Sequence, residues 1–407
     1  MRRYLEAIAI LASSVLLFAV SSNCWALPPV VIPPHDQPLQ LSLPLPISAA
    51  TSAKPLALRP TGGSGTVIGQ RGAGFDTTGK PVPGARLLAV VPPVEKPTQY
   101  TIVTSKSAAA PSFRLENVGD KSVRIYQGNT PVLQYNYGTI VNENVPENEP
   151  RRQRACYVHP IWGMDGEILT DDFPKDHYHH HGMFWTWPHV IIGENEYSLW
   201  EDKGNLRQRF IKWLAQENGP TGCVLGFENG WFEGDRQVLT ERVWITVYPA
   251  EKDTRAIDVD LFLIPKVELT LRGAEGKSYG GPTIRFHPPN ANASTITVPD
   301  GVTENDLTET RLPWANFTTT FDGRKQPSGA AIFISKHFPD YPPMWLTRHY
   351  GPLCVGWPGT QNRTLEAGKP IHMPYRVWIH RGQPDRDTIA AAYEAYMNAL
   401  DAGFSRP

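Results

Sequence analysis

The sequence predicts a mostly β protein, an antiparallel β-sandwich with a C-terminal helix, and three observations carry that prediction. First, 39 prolines and 34 glycines accompany 12 Trp, 15 Tyr and 15 Phe in 407 residues, a composition suited to strands joined by turns. Second, Arg242 to Tyr248, Ile257 to Leu263 and Tyr375 to His380 alternate apolar with polar residues, the period of a strand. Third, helical periodicity is well marked only near the C-terminus. Hydrophobic residues at 41% supply a sizeable core, while charged residues reach 19%, below the ~25% usual for soluble domains. A net charge of −1 without a basic stripe excludes non-specific nucleic-acid binding, which depends on neutralising phosphates.

Taken in order, residues 1–26 read as a secretory signal. Arg2 and Arg3 precede an apolar stretch from Ala7 to Val20, and Cys24-Trp25-Ala26 offers a cleavage site. That stretch is shorter than the roughly 20 residues a membrane span needs, and no later segment is apolar enough to cross. The predicted destination is therefore the periplasm or the medium, with a lipid anchor at Cys24 as the minor alternative. Residues 27–97, rich in Pro and then Gly, predict an extended tether with short strands at most. The sandwich is expected over residues 98–385. Its hairpin of 242–248 with 257–263 is joined by strands near Ser122 to Tyr126, Ala330 to Ile334 and Tyr375 to His380. Aromatic residues on both faces of several strands predict that both faces are covered. Residues 386–407 form the helix and tail: Asp385 or Asp387 caps it, Ile389, Tyr393, Tyr396, Met397 and Leu400 share a stripe, and Gly403 sits at the expected stop. Cys156, Cys223 and Cys354 permit one disulfide without specifying it.

Six of the 12 histidines fall within 31 residues: His159, His177, His179, His180, His181 and His189. On an extended chain His177, His179 and His181 share a face, with His180 opposite in a structural place. Imidazole exchanges protons near neutral pH, so acid/base catalysis is the first reading. No cofactor is assigned. The alternative is a divalent metal held by His177, His179 and His181 as a metal-dependent oxygenase or hydrolase, with a nearby carboxylate such as Asp171, Asp172 or Asp176. The tract runs directly into Met183-Phe184-Trp185-Thr186-Trp187, whose rings must be buried or line a cleft.

His159-Pro160, the run from Gly166 to Pro174, and Asp176-His177-Tyr178-His179-His180-His181-Gly182 resemble a bacterial exported family of unknown function, often labelled "methane oxygenase PmoA-like". Tyr279 to Phe286, Trp314 to Phe317 and Arg348-His349-Tyr350-Gly351 support the resemblance, which spans about residues 110 to 385. In that family an Arg stands where this chain has His181. The resemblance implies a galactose-mutarotase-like supersandwich, a fold of sugar epimerases, polysaccharide lyases and glycoside phosphorylases. The expected function is an exported carbohydrate-active enzyme of mutarotase-, lyase- or hydrolase-like chemistry, with a sugar or polysaccharide as partner. Its catalytic residues would be His179, His181 and His159; His177, Trp185, Trp187, Arg285, Arg348, His349 and Tyr350 would bind substrate. A non-catalytic glycan-binding surface protein is the remaining alternative.

Overall fold

The computed structural model describes residues 29–46, 54–63, 65–105 and 109–404. The expected signal and Cys24 lie outside them. The chain is mostly β, with antiparallel sheets and one C-terminal helix.

Two nine-stranded sheets face each other. The site sheet runs Thr310–Arg311, Met344–Thr347, Pro352–Gly356, Gly281–Arg285, Met183–Thr186, Tyr157–Ile161, Thr130–Asn136, Ser122–Gln127 and Phe113–Val118. The long-strand sheet runs Leu206–Asn218, Cys223–Glu233, Arg236–Val247, Thr254–Pro265, Ile371–Arg381, Ser328–Ile334, Trp314–Thr319, Thr295–Val298 and Gly301–Val302. The hairpin expected from the two alternating runs is present, with Val243 opposite Leu261 and Ile245 opposite Val259. Side chains from both sheets interdigitate in one core: Tyr135 stacks on Phe227 at 3.9 Å and Phe286 on Phe317 at 4.6 Å. Burying each such ring contributes about 1.5–3 kcal/mol.

A third layer corrects the expectation of a tether. Val30–Ile32, Thr98–Thr104, Leu56–Pro60, Val67–Phe75, Pro81–Val91 and Leu39–Pro44 form, in that order, a six-stranded amino-terminal sheet. The boundary set near Thr98 is thus the first residue of one of its strands. Most of the prolines fit because they fall between strands or at strand ends, as Pro44, Pro60 and Pro81 do. Leu39, Leu41 and Leu43 alternate into the layer's own core. Ala73 and Leu88 reach across to Val224, Trp244 and Phe262 on the outer face of the long-strand sheet. That sheet is consequently covered on both faces.

The C-terminal helix, Arg386–Phe404, completes the cover. Asp385 caps it, its Oδ1 accepting the Thr388 N–H at 2.8 Å. Ile389, Ala392 and Tyr396 pack on Trp314, Phe333 and Trp378, while Ala395, Ala399 and Ala402 meet the amino-terminal sheet. The helix continues through Gly403 rather than stopping there. Cys156, Cys223 and Cys354 are separately buried as free thiols, so the permitted disulfide is not formed among them. No helix among the described residues is long and apolar enough to cross a membrane.

Candidate functional site

The site lies on the outer face of the site sheet. Alternation along Met183–Thr186 sends Met183 and Trp185 into the sandwich core and Phe184 outward, beside Tyr157, Trp200, Leu346 and Cys354. The histidine segment crosses this apolar floor. It does so as successive turns: the His177 N–H donates to Pro174 O and the His180 N–H to His177 O, both at 2.9 Å. The expected extended chain is therefore corrected. Turns bring residues three apart together, so His180 joins the cluster instead of facing away. The His177 ring is parallel within 5° to His180 at 4.7 Å, and within 7° to Tyr350 at 5.4 Å. His179 meets His180 edge-on at 4.6 Å. Among the described residues no three His, Cys, Asp or Glu are grouped so as to hold a metal ion, and His177, His179 and His181 do not form the ligand set that an extended chain would have offered.

Backbone hydrogen bonds fix the neighbouring segment. Asp171 N donates to Arg285 O, Arg285 N to Gly182 O, and Gly182 N to Asp171 O. Gly182 is required there. Its φ is +47°, and a Cβ would stand 2.1 Å from Val158 O. Arg285 is nearly buried, with its Nη2 3.1 Å from both Asp176 oxygens and 4.0 Å from Asp171 Oδ2. Its guanidinium lies 4.8 Å over the Tyr350 ring. Each of these two carboxylates also holds an imidazole: Asp176 Oδ2 is 3.0 Å from His177 Nδ1, and Asp171 Oδ2 is 3.0 Å from His287 Nδ1.

Two imidazoles near Asp171 are tuned in opposite directions. The bond to Asp171 raises His287 above its ordinary value, against partial burial. Burial lowers His159 to about 4, with Asp171 opposing and His287 assisting. The His159 ring is oriented by Thr170, whose Oγ1 is 3.1 Å from Nδ1 and also accepts the Ile161 N–H. Burial likewise lowers His179 to about 4, aided by the charge of His177. Tyr350 is pushed up to about 12 by burial, so its phenol keeps its proton at neutral pH.

Beneath this rim lies a closed cluster. Asp172 accepts the Tyr157 hydroxyl at 2.8 Å and meets His181 Nδ1 at 2.9 Å. Burial drives the Asp172 carboxyl well above its ordinary value, against the Tyr157 bond. It drives His181 well below. Burial thus favours the uncharged form of each partner, and His181 Nε2 has no hydrogen-bond partner.

The predicted site residues fall into four groups. His159, His177, Arg285 and Tyr350 are brought together at the rim. His179 and His181 form its inner wall, together with His180, which was not expected at the site. Trp185 and Trp187, 0% exposed, present no ring face to a ligand, and Trp187 Nε1 donates to Trp357 O at 2.6 Å. They belong to the core because strand alternation turns them inward. Arg348 and His349 turn toward Asp306, at 3.8 and 2.8 Å. His287 was missed. It stands alone in the sequence, and only the pairing of Thr170 with Phe286 delivers it to Asp171.

No curated protein sequence matches the chain. A family profile described as a family of unknown function (DUF6807) matches residues 122–394, which include both halves of this site. The chain spans well over half its length in that match and belongs to the DUF6807 family of unknown function.

Proposed function

We propose that the protein is an exported carbohydrate-active enzyme that acts on an acidic sugar by histidine acid/base chemistry. The observation that supports it best is the opposed tuning of His159 and His287 on either side of Asp171. Groups pushed apart in this way hold complementary protonation states at one pH. His159, neutral above about pH 4, is the base. With its Nδ1–H donating to Thr170, the Nε2 lone pair is free to take a proton. His287, whose proton the bond to Asp171 holds more firmly, is the acid.

Arg285 binds the substrate carboxylate. The Asp176 side chain that now occupies it is 46% exposed and can be exchanged. Neutralising that carboxylate makes the adjacent C5 proton of a uronate acidic. His159 Nε2 takes this proton, the C–H electrons form the C4–C5 double bond, and the C4–O bond breaks. His287 delivers its proton to the leaving oxygen. Tyr350 and His177, stacked on one another beside Arg285, flank the sugar.

The test is incubation with acidic and neutral polysaccharides, assayed for unsaturated uronates and for new reducing ends. His159→Gln and His287→Gln should each lower product formation by about 10²–10⁴-fold while circular dichroism remains native. Unchanged turnover in a folded His287→Gln protein rejects the assignment. Saturable binding without product leaves the glycan-binding alternative in its place.

A further inference from the structure

A concavity lies on the other side of the sandwich, where the amino-terminal sheet, the long-strand sheet and the C-terminal helix meet. Its volume is about 320 Å³, and Ser42, Phe75, Arg86, His372, Arg376 and Leu400 are among its walls. This lies at the small end of the ~300–1,000 Å³ range of ligand sites.

Its two arginines differ in how fully they are used. Arg376 donates Nε and Nη2 to Asp258 at 2.6 and 3.0 Å, and Nη1 to Gln40 Oε1 at 3.0 Å. Its charge and geometry are accounted for. Arg86 donates only Nη1, to Ser42 Oγ at 2.9 Å, and lies 4.1 Å over the Phe75 ring. Among the described residues it has no carboxylate partner. A guanidinium has five N–H donors, so most of its fork is free. The Ser42 hydroxyl, accepting from Arg86, keeps its own proton to donate. The remaining acids are engaged: Asp258 by Arg376, Asp260 by His372 at 2.7 Å, and Asp76 by the Thr78 and Lys80 amides. Beside these polar groups, Phe75, Phe262, Tyr396 and Leu400 supply the apolar part of the wall, with His372 stacked flat on Phe262 at 4.1 Å.

We infer that this interlayer cavity binds a small monocarboxylate with an apolar body, its carboxylate forked between Arg86 and Ser42 and its body against Phe75 and Leu400. The inference is independent of the function proposed above, because the sandwich separates the two sites. It is tested on the whole mature chain by calorimetric titration with phenylacetate, with 2-phenylethanol as the uncharged match. Saturable phenylacetate binding at least tenfold tighter than that of the alcohol is expected. Arg86→Met should weaken phenylacetate tenfold or more and leave the alcohol unchanged. Leu400→Trp, which fills the cavity, should remove binding of both, and provides the same reading if Arg86→Met does not fold. Absence of saturable phenylacetate binding overturns the inference. So does equal affinity for acid and alcohol, or undiminished binding in the folded variants.

Discussion

His177 and His180 lie face to face, their ring centroids 4.7 Å apart and their planes within 5°. The turn from His177 O to His180 N creates this contact, which an extended chain would forbid. The same turn frees His179 to stand edge-on to both neighbours. A run of adjacent histidines thus becomes a compact wall over Phe184 and Trp200.

Gly182 holds that wall to the sheet. Gly182→Ala combines a left-handed backbone with a Cβ placed 2.1 Å from Val158 O. The strain of such a conformation alone is about 1–3 kcal/mol, and the backbone clash adds to it. Urea unfolding should show a loss of at least ~2 kcal/mol.

Asp171→Asn should lower the pKa of His287, because the carboxylate that holds its proton is gone. An NMR titration of the ring protons reads this directly. The sign of the linked stability follows. A histidine raised in the folded state stabilises the fold fully below its unfolded pKa, and that contribution disappears as pH rises through the folded value. The wild type should therefore lose stability relative to Asp171→Asn as pH climbs through this window.

Glu241 gives a pH dependence of the same sign from a buried carboxyl. It is 0% exposed and receives Asn229 Nδ2 at 2.7 Å, Gln208 Nε2 at 2.8 Å and Trp231 Nε1 at 2.9 Å. Burial raises its pKa above the ordinary 4.5, against these bonds. Since the folded value exceeds the unfolded one, stability falls as pH rises from the unfolded toward the folded pKa. Glu241→Gln should abolish that fall. Glu241→Leu leaves three buried donors unmet, at about 1–3 kcal/mol for each, and should be the most damaging change at this position in a denaturant titration.

Removal of residues 1–97 tests the third layer. The truncated chain uncovers Val224, Trp244 and Phe262, which Ala73 and Leu88 bury, and it leaves Thr98–Thr104 without its partner strands. Soluble yield should collapse and dye binding to exposed apolar surface should rise. A monomeric, cooperatively folding product would show that the amino-terminal sheet is dispensable.

The sequence by itself determined the β architecture and the location of the histidine wall. Alternation at 242–248 and 257–263 is a local property, fixed by a side-chain period of two, and it paired as expected. The stripe from Ile389 to Leu400 and the cap at Asp385 are equally local. The amino-terminal sheet was obscured because its prolines, most of them placed between strands or at strand ends, resemble those of a tether. Which face of Met183–Thr186 looks inward could not be read from its rings, since Phe184 and Trp185 are both aromatic and both buried. Only the neighbouring sheets decided it. His287 reaches Asp171 through a strand pairing across more than a hundred residues, and Arg86 reaches Ser42 on the strand paired beside it. Such contacts carry no periodic signal, because the chain between their partners sets no spacing. Their chemistry exists only once the layers have packed.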